Sequence, residues 1–191
     1  MQRVGLRDGL YSAGRMHPGA VTLHNYPRFL QRLERPDTPL NDMAAIDVLR
    51  IRERGVPRYN DFRELLHKPR VKSFEEMTDN PVWAAELREV YGDVDKVDLM
   101  VGMYAEPKPE GFGFSDTAFR IFILMASRRL ESDRFFTRDY TPEVYTPLGL
   151  DWIDRNGLAS VLLRHVPSLA PALRGVRNPF TPWNRAGAAA A

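Results

Sequence analysis

At 191 residues, with 27 Lys+Arg against 25 Asp+Glu, four histidines and no cysteine, the chain can bury one sizeable hydrophobic core or two small ones. The lack of cysteine excludes disulfides, thiolate zinc sites, iron–sulfur ligation and a cysteine nucleophile. A net charge of +2 gives no basis for nucleic-acid binding, despite a pI near 9.0.

Arginine outnumbers lysine 23 to 4, a bias that a GC-rich genome would produce and that also suits bidentate grip on carboxylates. The N-terminus lacks the continuous apolar run of a signal peptide. The longest apolar stretch, Ile121–Ser127, is too short to cross a membrane. Together with the missing cysteine, this favours a cytoplasmic protein.

In chain order, residues 1–39 carry few periodic segments. A short amphipathic helix is predicted over Tyr26–Leu33, with Phe29, Leu30 and Leu33 on one side, and RPDTP at 35–39 forces a turn. Asn41 or Asp42 caps a helix to about Arg54, with Met43, Ile46, Leu49 and Ile51 as its apolar stripe. Gly55 and Pro57 end it. Tyr59–Leu66 is another short helix. Ser73 and Glu76 have capping-box spacing, and Asn80-Pro81 starts a helix that stops at Gly92. Val94 to about Ala105 reads as one helix. Ser115-Asp116 opens the best helix of the chain, 116–132, with Phe119, Phe122, Ile123 and Ala126 at helical spacing. Thr141-Pro142 and Asn156 start two more, and Pro167 and Pro171 interrupt the chain near its C-terminus. Strand signals are nearly absent, so the fold class is mainly α.

No phosphate loop, dinucleotide fingerprint, H-E-x-x-H or G-x-S-x-G motif occurs. His17, His24, His67 and His165 are far apart, and no metal site is assigned. Two clusters stand out. Asp47–Arg63 packs Arg50, Arg52, Arg54, Arg58 and Arg63 around a sharp turn, interleaved with Asp47, Glu53 and Asp61. It is either a solvated salt-bridge network or an arginine cluster that grips a ligand's anionic groups. In the second, the helix bearing Phe119, Phe122 and Ile123 runs into Arg128-Arg129. Those cations either complement the helix dipole or place one arginine at an apolar channel, as a fatty-acid site requires.

At these two segments the chain resembles the animal-type haem peroxidase and cyclooxygenase superfamily. RERGVPRYNDFR is similar to its arginine-rich turn. LREVYGDVDKVDLMVGMYAEP at 87–107 and GFGFSDTAFRIFILMASRRLESDRFFT at 111–137 resemble the next segments of that family. LHNYPRFL at 23–30 and NPFTPW at 178–183 also fit, in the same order and spacing. The nearest branch is that of the fatty-acid α-dioxygenases and their bacterial and fungal relatives. The resemblance implies the multi-helix C-terminal portion of the animal haem peroxidase fold, with little or no sheet, over residues 1–183, while the composition of NRAGAAAA reads as a disordered tail over 184–191.

It also implies haem b as cofactor and a peroxide or fatty acid as substrate. Peroxidase members reduce peroxides. Dioxygenase members use a tyrosyl radical to take a hydrogen from a fatty acid and add oxygen. Asp47 matches the position behind the proximal imidazole, where it would fix the ring's tautomer. Arg50 matches an arginine near the haem propionates, and Arg129 the arginine that holds the substrate carboxylate, beside Phe119 and Phe122. The family's distal histidine, radical tyrosine and proximal histidine lie upstream of the segment matching Leu23–Leu30. The expectation is therefore a C-terminal fragment with no catalytic residue of its own and an upstream half as partner. Arg15-Met16-His17 mimics the family's proximal-ligand context, with only six residues between His17 and His24. His17 is read as a surface or supporting residue, with iron ligation the lesser alternative. The alternative function is a non-catalytic helical module that binds an anionic amphiphile or a partner subunit.

Overall fold

The computed structural model describes residues 4–17, 19–35 and 38–185. Among them run eleven α-helices, two short 3-10 turns and one two-stranded ladder, so the mainly α class holds. The chain divides into two compact units, Gly19–Arg128 and the paired ends Met1–Pro18 with Arg129–Ala191.

In the Gly19–Arg128 unit, helix α2 is only Arg28–Gln31. The chain then extends into β1 (Leu33–Arg35), which pairs antiparallel with β2 (Thr38–Asn41) in the register Leu33↔Asn41 and Arg35↔Thr38. The helix expected over Tyr26–Leu33 is thus cut short by strand pairing, and Phe29 is exposed. Of the turn predicted at 35–39, residues 35, 38 and 39 belong to the strands, and residues 36 and 37 lie outside the described residues.

Local capping explains the next helices. Asp42 opens α3 (Met43–Glu53) by accepting from the Ala44 and Ala45 amides, and Gly55 turns the chain away at φ 67°. Helix α4 spans Tyr59–Leu65. Ser73 caps α5 (Phe74–Met77) by accepting from Glu76 N, while the Glu76 carboxylate accepts from Lys72 N one residue earlier than a standard box. Asn80 caps α6 (Pro81–Tyr91), which ends at Gly92 with φ 68°.

The stretch read as one helix from Val94 to Ala105 is broken. A 3-10 turn, Val94–Lys96, is followed by extended Val97 and Asp98, and then α7 (Leu99–Ala105). The reason is tertiary. The Val97 carbonyl accepts from Tyr59 N (2.9 Å), and the Asp98 side chain is drawn into the arginines of the preceding turn. The core of this unit gathers Tyr59, Phe74, Met77, Leu87, Val97 and Leu99. Gly102 of α7 lies flat against the Tyr59 ring, where a side chain would collide.

Helix α8 spans Asp116–Ser132, opened by Ser115, whose hydroxyl accepts from Ala118 N (3.3 Å).

The other unit contains α1 (Leu6–Arg15), a helix whose pattern Gly9 and Gly14 obscure in the sequence. It also holds α9 (Pro142–Arg155), α10 (Leu158–His165), a 3-10 turn Pro167–Leu169 and α11 (Ala170–Leu173). Helix α9 kinks at Thr146 before Pro147, as an internal proline demands. Asn156 ends α9, and Gly157 rather than Asn156 stands at the N-cap of α10. The core here is Leu169, Ala172, Leu173 and Trp183. Trp183 N donates to Gly14 O (2.9 Å), and its indole covers Gly14. Asn184, assigned to the tail, is held by bonds to the Ala172 and Arg174 carbonyls, while residues 186–191 lie outside the described residues.

Candidate functional site

The arginine-rich turn between α3 and α4 folds around this chain's own carboxylates. Asp98, 3% exposed, accepts from Arg52 Nε (2.9 Å) and Nη2 (2.6 Å), from Arg58 and from the Tyr91 hydroxyl (2.9 Å). Burial pushes the Asp98 carboxyl up, but the bonds from Arg52 and Tyr91 and the charges of Arg52 and Arg58 outweigh it. The group sits below its usual range. The same pairing, after burial, pushes the Tyr91 hydroxyl up to about 12. The turn is therefore a salt-bridge network, but its acceptor is buried, and Arg52 and Arg58 are committed to it.

Arg63 serves a second buried cluster, which the sequence did not signal. It includes Tyr59, Lys68, Glu106 and Thr117. Burial and the Glu106 carboxylate together push the Tyr59 hydroxyl far above its usual range.

Asp47 and Arg50 are brought together on α3, with Asp47 Oδ1 3.6 Å from Arg50 Nη1. The Tyr26 hydroxyl lies 3.5 Å from Asp47 Oδ2. Burial first and Asp47 second raise the pKa of both Tyr26 and Tyr104. Next to this pair is a cavity of about 250 Å³, lined by residues 20–26 with Ala44, Val48, Met100, Val101 and Tyr104. Asp47 is half-buried and Arg50 exposed.

Helix α8 brings Phe119 and Phe122 together, with ring centroids 6.1 Å apart and near-parallel planes. Phe112 joins edge-on to Phe119 at 4.6 Å, and Phe114 lies 5.9 Å from Phe112. Phe122 is 63% exposed, and Ile123, Leu124 and Met125 are also exposed. Arg129 lies about 10 Å further along the helix, two turns on and on the same side as Phe122. Among the described residues, neither Arg128 nor Arg129 has an ion-pair partner, so their side chains stand free beside an apolar helix face.

The histidines do not assemble into an iron-ligand set. His24, at φ 58°, is bound to Glu86 Oε2 (2.7 Å) and tilted against Trp83. His67 and His165 are exposed. His17, in the other unit, lines an apolar cavity of about 520 Å³ with Leu10, Leu158, Leu162, Phe180 and Trp183, and no carboxylate or amide lines it to orient the ring. No cluster of three metal-ligating side chains occurs among the described residues. Asp47 and Arg50 have the chemistry of groups that would support a haem and its proximal ligand.

The family model for animal haem peroxidase matches residues 1–176. This chain belongs to the animal haem peroxidase family. It is similar to alpha-dioxygenase 2 of Arabidopsis thaliana, 44% identical over 189 residues that cover 95% of this chain and 30% of that protein. Among solved structures it is similar to the fatty acid alpha-dioxygenase of Oryza sativa, with a TM-score of 0.84 and 41% identity over 97% of this chain and 32% of that one. A variant of the rice enzyme with palmitic acid gives a TM-score of 0.84 and 42% identity over 95% of this chain and 31% of that one. The chain thus spans about 30% of the length of the curated relatives it matches. No helix among the described residues is long and apolar enough to cross a membrane.

Proposed function

We propose that this chain supplies the substrate-carboxylate site of a haem-dependent fatty-acid α-dioxygenase, with peroxide reduction as the related peroxidase activity. Arg129 carries the reading. It is a free guanidinium two turns beyond Phe122, and between them on that side of the helix stand Met125 and Ala126, as a long-chain carboxylate requires. A relative's structure holds palmitic acid, which makes a saturated long-chain acid the substrate class to try. Arg129 pairs with the carboxylate and fixes the head of the chain, while Phe119 and Phe122 line the path of the alkyl tail. Haem, when bound to the complete enzyme, supplies the oxidising chemistry. Asp47 and Arg50 act as supporting groups, and the axial histidines and radical tyrosine are those the family carries upstream of the segment matching Leu23–Leu30.

A second reading, a non-catalytic helical module for an anionic amphiphile or a partner subunit, draws on the same helix. The exposed apolar run Phe122–Met125 is what supports it.

Calorimetric titration of the chain with palmitate tests the site. Arg129→Leu is expected to weaken palmitate at least about tenfold, the cost of a lost charge-assisted pair, and to leave hexadecanol unaffected. Equal palmitate affinity in the two proteins rejects it. Haem added to the chain is expected to give no histidine-ligated Soret band. A sharp band abolished by His17→Ala would overturn the assignment of the ligands to other residues.

A further inference from the structure

We infer that the buried cluster of Lys68, Glu106, Arg63 and Thr117 is a positioning device that aims helix α8, and with it Arg129, at the substrate carboxylate. The functional half of this inference rests on the reading of Arg129 above.

Thr117 is the one fully buried residue of α8, so the helix is gripped near its first turn and most of its remaining length projects from that anchor. Ile121, one turn on, packs against the apolar core of the unit, and the rest of the grip is electrostatic. Lys68 Nζ spends all three of its protons there, on Glu106 Oε1 (3.1 Å), Thr117 Oγ1 (2.9 Å) and Asp116 Oδ2 (2.7 Å). Arg63 Nη1 adds a bond to Thr117 Oγ1 (3.3 Å) and one to the Tyr59 hydroxyl (3.1 Å). Glu106 Oε2 accepts from Tyr59, and Oε1 accepts from the Thr117 amide (3.4 Å), so a side chain from the end of α7 caps α8. Two cations and two carboxylates balance.

A cation at a helix N-terminus opposes the helix dipole, and a buried ion network is frequently no more stabilising than apolar residues of the same size. Stability alone therefore gives no reason for a lysine here. Direction does. Every bond in the cluster has one geometry, and together they leave α8 a single orientation. The lever is long: from Thr117 to Arg129 the helix runs about 18 Å, so a tilt of about 10° at the anchor carries Arg129 about 3 Å. Displacements of about 1 Å are enough to impair a binding or reacting geometry.

The chain has no cysteine, so a spin-label pair can be placed at Ser127→Cys on α8 and Glu89→Cys on α6, both within the Gly19–Arg128 unit. Pulsed dipolar spectroscopy is expected to give a narrow distance distribution in the otherwise native chain. Lys68→Met is expected to broaden it while helicity is retained, and Lys68→Arg to restore it. Palmitate affinity is expected to fall at least about tenfold on Lys68→Met, and by no more in the Arg129→Leu background, because both changes remove the same contact.

An unchanged distance distribution in Lys68→Met overturns the inference. So does a broadened one with palmitate affinity intact. If Lys68→Met fails to fold, Thr117→Val decides in its place, since it removes the hydroxyl that both cations reach. If no variant and not the native chain binds palmitate, the function proposed for Arg129 falls, and the label distances alone decide whether the cluster aims α8.

Discussion

Asp98→Asn tests the central structural claim, that the arginine-rich turn is organised around a buried acceptor. The carboxylate is 3% exposed and receives bonds from Arg52, Arg58 and Tyr91. Removing one partner of a fully buried ion pair costs about 3–5 kcal/mol. Here Arg52 and Arg58 are 49% and 39% exposed and regain water when released, which places the loss at the lower end, about 3 kcal/mol.

The loss has a pH signature. The folded carboxyl lies below its usual range. Its contribution is therefore fully present above the unfolded value of about 4 and is lost as pH falls through the folded value. The wild-type advantage is full at pH 7 and shrinks in more acid solution. Urea unfolding followed by Trp83 fluorescence, with Trp152 and Trp183 replaced by Phe, reports on the unit that contains Asp98. A difference under about 0.5 kcal/mol at pH 7, within the range of an ordinary surface substitution, would refute the reasoning. So would one that keeps its full size at pH 3.

Two further outcomes rest on the same packing. Gly102→Ala improves helix propensity by about 1 kcal/mol, yet its new methyl enters the Tyr59 ring. The expected result is a net loss of about 1–3 kcal/mol, and a rise in the urea midpoint contradicts it. Tyr91, held protonated by burial and by its bond to Asp98, is expected to titrate near 12 in the difference spectrum between the native chain and Tyr91→Phe. Its contribution to stability is complete below the unfolded value of about 10 and is lost as pH rises through about 12. A midpoint near 10 contradicts the buried bond.

Several helix boundaries are legible in the linear sequence. Asp42, Ser73, Asn80 and Ser115 cap within three residues of themselves, and Gly55 and Gly92 end helices by their own backbone conformation. Such signals are local and survive in a linear reading. The break at Val97–Asp98 is not legible there, because its cause lies forty or more residues away in Arg52 and Arg58. Helix α1 is hidden because two glycines interrupt its pattern, and its worth comes from Leu10 and Tyr11 packing on the core around Trp183. The helix expected over Tyr26–Leu33 yields to a strand pairing that its own periodicity does not encode.

At the candidate site the division is similar. Asp47 and Arg50, or Phe119, Phe122 and Arg129, share a helix face by spacing alone, and the segments that carry them are enough to place the chain in its family. Periodicity leaves open whether the arginine cluster holds a ligand or the protein itself, since charge spacing on one helix does not say which distant carboxylate will answer it. Sequence by itself determined the caps, most of the helices and the family. Tertiary structure decided that Asp98 and Glu106 take up Arg52, Arg58 and Arg63, that Lys68 is largely withdrawn from solvent at the foot of α8, and that Arg129 is left free. Capping energies are settled between near neighbours. The partner of a long charged side chain is settled only when folding brings far segments close enough to exclude water.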